Sequence, residues 1–117
     1  MDRRSRICQH LLHLGVPAHR RGHKYIVEAV DMLLTCPESA NMLTAVVYPT
    51  VGLRYNTRGN NVERAIRTAI EYVFSNTDME VLYGYFGNSV NRQRGKATNG
   101  HFIVTLAERV RLEEQND

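Results

Sequence analysis

The chain has 117 residues, 43% of them hydrophobic, with a formal charge of +3 at pH 7 and a pI near 9.1. That length fits one domain over residues 1–117 with a real core, and excludes the need for disulfide or metal staples, usual only below about 40 residues. No run approaches the ~20 apolar residues of a membrane span, and Arg3, Arg4 and Arg6 do not lead into a signal peptide's apolar stretch, so a cytoplasmic protein with no membrane partner is expected.

Helical periodicity dominates, and no period-2 strand pattern emerges. A first helix is predicted over residues 5–14, with Ile7, Leu11, Leu12 and Leu14 on its apolar side, stopped by Gly15 and Pro17. A second spans about 22–35, where Tyr25, Ile26, Ala29, Val30, Leu33 and Leu34 recur as adjacent pairs, and Pro37 closes it. Cys8 and Cys36, the only cysteines, sit in these apolar patterns and read as buried thiols rather than a disulfide framework. Ser39 is placed as the cap of a short third helix over 40–48, and Pro49 suits the first turn of a fourth over 49–55. A fifth runs over 61–75. Asp78 caps a sixth that ends at Phe86 before Gly87, and a polar loop covers Asn88 to Ala97. Thr98 or Asn99 caps the last helix, whose stripe is Phe102, Ile103, Leu106, Ala107 and Val110. The expected fold is all-α: a compact bundle of six to seven helices.

The segment 49–75 reads as a helix-turn-helix. Two helices that pack closely need a small residue between them, and Gly52 is there. Tyr55 supplies an apolar anchor, Asn56 tolerates left-handed backbone, and Gly59 adds freedom to the turn. On the fifth helix Val62, Ile66, Ala69, Ile70 and Val73 share one side, and Val62 with Ala65 or Ile66 docks it. The other side carries Glu63, Arg64, Arg67, Thr68 and Glu71, with Asn60 and Asn61 at its start. Such a face suits the major groove of double-stranded DNA. Arg64 and Arg67 offer bidentate forks for guanine O6 and N7, Glu63 can accept from cytosine N4, and Asn60 and Asn61 can pair with adenine or phosphate. Asn60, Asn61, Glu63, Arg64, Arg67 and Thr68 are therefore the expected base readers. Thr57, Arg58, Arg20, Arg21, Lys24, Arg92, Arg94 and Lys96 are the expected backbone contacts, which fix register without reading sequence. The competing reading is a solvated face laced by Glu63–Arg67 and Arg67–Glu71 pairs at i,i+4.

Other constellations carry less. His10 and His13, or His19 and His23, have spacings that can hold a metal, but no paired cysteine motif supports them, and no metal is expected. No nucleophile–base pair or phosphate-binding glycine loop is present, so no catalytic residue and no cofactor is expected. The aromatic residues fall mainly at core spacing rather than on an RNA-stacking platform, with Tyr83, Tyr85 and Phe86 a possible contact patch. The alternative function is a small adaptor that binds another regulator or RNA polymerase without reading DNA sequence.

At Val62-Glu63-Arg64-Ala65-Ile66-Arg67 the chain resembles the C-terminal DNA-binding effector domain of sporulation-initiation response regulators, the stage-zero sporulation protein A family. The likeness takes in Leu14-Gly15-Val16-Pro17-Ala18-His19, Tyr48-Pro49, Tyr55-Asn56-Thr57, Ala69-Ile70-Glu71, Phe86-Gly87, Lys96, Thr98-Asn99, Phe102-Ile103 and Arg111-Leu112-Glu113. It covers residues 7–114 in order. The resemblance implies six helices, binding to a short promoter element, often as tandem copies, and activation or repression of transcription. It carries a base-reading role to Glu63, Arg64 and Arg67, and places Lys96 near DNA. The chain departs from the family at Asn61, where a basic residue is common, and at Thr68, where histidine is common. The family's phosphoacceptor receiver has no counterpart in these residues.

Overall fold

Among residues 1–87 and 96–117, six α-helices carry the architecture: α1 (Arg3–Leu14), α2 (Arg21–Thr35), α3 (Tyr48–Arg54), α4 (Gly59–Asn76), α5 (Met79–Phe86) and α6 (Asn99–Gln115). They are seen in a computed structural model that describes residues 1–87 and 96–117; no strand occurs among the described residues. The Cα radius of gyration, 13.4 Å, is what a compact domain of this length should have. A single apolar cluster draws on all six helices, with Ile7, Leu11, Ile26, Ile66, Ile70, Leu82, Phe102 and Leu106 among its fully buried side chains. α2 runs through the middle and packs on α1, α3, α4 and α6.

Most helix ends follow the predicted chemistry. Gly15 closes α1 at φ 82°, a left-handed value that costs glycine little, and its N–H bonds the Leu11 and Leu12 carbonyls. Thr98 caps α6 by accepting the His101 N–H. Asp78 occupies the position before α5, although its side chain makes no capping bond.

Residues 37–54 differ from expectation. The separate third helix over 40–48 is replaced by a 3₁₀ turn, Pro37–Asn41, and a wide π turn, Leu43–Val47, that runs directly into α3. Pro49 explains the wide turn: it cannot donate to the carbonyl four residues back, and its ring presses on that group. The chain opens locally instead, with Val47 N–H bonding the Met42 carbonyl at 3.0 Å and Tyr48 N–H bonding that of Leu43. Ser39 is no cap. It lies inside the 3₁₀ turn, buried, and its hydroxyl donates back to the Cys36 and Met32 carbonyls. The cysteines are also corrected: Cys8 is half-buried, and Cys36, at the end of α2, is exposed.

Candidate nucleic-acid interface

α3 and α4 are joined by four residues, Tyr55 to Arg58, the turn length of a helix-turn-helix. Asn56 takes φ 54° and is the only non-glycine residue with positive φ among those described, as its side chain allows. Gly52 is required for a packing reason. A Cβ there would lie 2.5 Å from the Thr57 carbonyl oxygen, so the turn folds directly onto α3, and Thr57 N–H bonds the Gly52 carbonyl at 2.8 Å. Gly59 serves as the first residue of α4 rather than in the turn, two residues before the expected start.

α4 divides as its periodicity predicts. Val62, Ile66, Ala69, Ile70 and Val73 are buried, while Asn60, Asn61, Arg64, Arg67 and Thr68 are exposed and Glu63 is half-buried. Arg64 has no hydrogen-bond or ion-pair partner among the described residues. Arg67 donates to Glu63 Oε1 at 2.7 Å, and its side chain remains 47% exposed. The other oxygen of Glu63 is buried without a partner among the described residues. Asn61 is partly engaged, donating to the Thr57 hydroxyl at 3.1 Å. Of the two ion pairs in the solvated-face reading, only Glu63–Arg67 forms. Glu71 pairs with Lys96 at 2.7 Å, and the Lys96 ammonium holds its carboxyl below the usual range.

The N-terminus of α2 lies against this face. A Cβ on Gly22 would come within 2.6 Å of the Ala65 carbonyl oxygen and 2.8 Å of the Ala69 Cβ. That approach creates a cleft of about 620 Å³ in which Arg20 and Arg21 meet Asn61, Arg64 and Thr68. Arg20 stacks over Tyr72 at 4.8 Å, and Tyr72, unlike most of the aromatic residues, lies outside the core at 36% exposed. Lys24 lies 4.8 Å from the centre of the Tyr55 ring. Arg58 is exposed at the position before α4. Arg92 and Arg94 lie outside the described residues. Asn99, expected only as a cap, donates to the Glu63 carbonyl at 3.2 Å and ties α6 to α4.

Residue pattern did not single out Glu28, which is buried on α2. Its signal was a lone carboxylate inside the apolar run Tyr25 to Val30. His10 Nδ1 and His13 Nδ1 lie 2.7 and 3.2 Å from the Tyr85 hydroxyl, and His10 Nε2 lies 3.0 Å from Glu113. Of the suggested aromatic patch, Phe86 is in the core and Tyr83 is exposed.

An all-α fold carrying a helix-turn-helix with an arginine-bearing outer side defines a class of DNA-binding domains. The family model described as "Sporulation initiation factor Spo0A C terminal" matches residues 7–110, and the chain belongs to that family. Its domain is the DNA-binding effector of sporulation-initiation response regulators and is regulatory rather than catalytic. Among the described residues, no helix is long and apolar enough to cross a membrane.

Proposed function

We propose that this chain, as one cytoplasmic domain, reads a specific promoter element by laying the polar side of α4 in the major groove. The observation that carries this reading is Arg64. It stands exposed, and unpaired among the described residues, on a helix whose opposite side is fully buried, so it is presented outward on a rigid support. Arg64 and Arg67 address guanine edges, while Asn60, Asn61 and Thr68 complete the reading side. Glu63 acts through Arg67, since one carboxylate oxygen holds that guanidinium and the other is buried. Arg20 and Arg21 sit across the cleft from Arg64 and, with Lys24, Thr57, Arg58, Arg92, Arg94 and Lys96, take phosphates. Lys96 would exchange its exposed pair with Glu71 for a phosphate, a small loss because an ion pair open to water is weak. A second copy in tandem on the DNA and contact with RNA polymerase belong to the same reading.

Selection from a random duplex pool at fixed salt tests it. A recovered consensus element is the expected result. Recovery of no consensus, with a stable complex formed on RNA polymerase or another regulator, would replace this reading with the adaptor.

A further inference from the structure

Glu28 is 6% exposed in the middle of the fold, and burying a carboxylate is unfavourable unless charge and hydrogen bonds compensate. Three groups do so. Arg4, from α1, and Arg54, at the end of α3, both bind Oε1, the latter at 3.2 Å. The Tyr55 hydroxyl donates to Oε2 at 2.9 Å. Two of these three belong to the last residue of α3 and the first of the turn. The Tyr55 ring is further fixed edge-on against Tyr25, with centroids 5.5 Å apart.

From Tyr55 the connection to the DNA-facing side is short. Tyr55 N–H bonds the Val51 and Gly52 carbonyls, Asn56 turns the chain in left-handed backbone, and the Thr57 hydroxyl accepts from Asn61 on α4. We propose that Glu28 is a positioning residue for DNA reading: its buried carboxylate clamps the turn that launches α4, so that the reading side is ordered before DNA arrives. The proposal rests on the groove reading above. Its energetic basis is preorganisation, because a turn already held in its bound form loses no freedom on association.

The sign of one substitution separates this role from bulk charge. Glu28→Gln makes the chain more positive, which by electrostatics alone should tighten binding to every duplex. A clamp predicts the opposite on the preferred element. The side chains of Arg4 and Arg54 are 54% and 46% exposed, so losing the carboxylate lets them return to water without stranding buried cations. Tyr55→Phe removes only the hydroxyl and keeps the packed ring.

Affinities of wild type and both variants for the preferred element and a random duplex, with amide exchange of the free proteins, test the clamp. Each variant should bind the preferred element about three- to tenfold more weakly, with random-duplex affinity unchanged or slightly higher. Exchange at the Thr57 amide should quicken while α6 amides keep their wild-type rates. Wild-type ratios in both variants, or equal losses on both duplexes, would overturn the clamp and leave the groove reading standing. A wild type that prefers no duplex would remove the groove reading and the clamp with it. Should Glu28→Gln fail to fold, Tyr55→Phe decides alone by the same criteria.

Discussion

Two groups of arginines are equivalent in composition and opposite in structure. Around α1, Arg3 is held by Glu114 at 2.9 Å and Asp31 at 3.7 Å, Arg4 by Glu28, and Arg6 by Asp117. Across the cleft between α2 and α4, Arg20, Arg21 and Arg64 have no carboxylate partner among the described residues, and the one pair of Arg67 is open to solvent. The first group spends its charge within the fold. The second leaves it facing solvent, where the proposed groove reading sets the DNA. A net charge of +3 says little by itself, because what matters is where the counter-charges lie.

This contrast can be broken from its largest component down. Ile66→Ala, beneath the reading side, should lose about 2–5 kcal/mol of stability in denaturant melts, with DNA binding lost as the domain unfolds. Arg64→Ala should weaken the preferred element by about 1–3 kcal/mol and relax its preference, at nearly unchanged stability. Arg3→Ala should do the reverse, leaving DNA affinity untouched and lowering stability by about 1 kcal/mol or less. Lys96→Ala should weaken preferred and random duplexes evenly and reduce the magnitude of the salt slope by about one.

The smallest effect is an acid limb. The Arg3 guanidinium hydrogen-bonds Glu114 and holds its carboxyl below the usual range. At Glu28 burial pushes the carboxyl up, but the Tyr55 hydroxyl and the Arg4 and Arg54 guanidiniums outweigh it and bring it lower. A carboxyl depressed on folding stabilises the native state above its unfolded value, about 4.3. That stability is lost as pH falls through the lower folded value. Melting temperature should therefore drop below about pH 4.5, and Arg3→Ala should make the drop shallower.

Local features were legible in the sequence because their causes are local. The stripe from Val62 to Val73, the left-handed Asn56, the stop at Gly15 and the cap at Thr98 each follow from side chains within a few positions. The partners of Arg3 and Arg4 were not legible, since Glu114 and Glu28 stand 111 and 24 positions away. Spacing also misjudged Cys36 and Tyr72, because burial depends on which element arrives to cover a side chain. The π turn before Pro49 shows the remaining limit: proline suited a helix start, but its effect on the preceding carbonyls left turns where a separate third helix was expected.

The proposed contact between Arg64 and guanine is the most direct point of test. Methylating guanine N7 blocks that atom in the major groove, so methylation interference on the selected element should reveal guanines whose modification prevents wild-type binding. With Arg64→Ala, at least one of those guanines should become indifferent to methylation while the others remain sensitive. An interference pattern identical for wild type and Arg64→Ala would contradict the account.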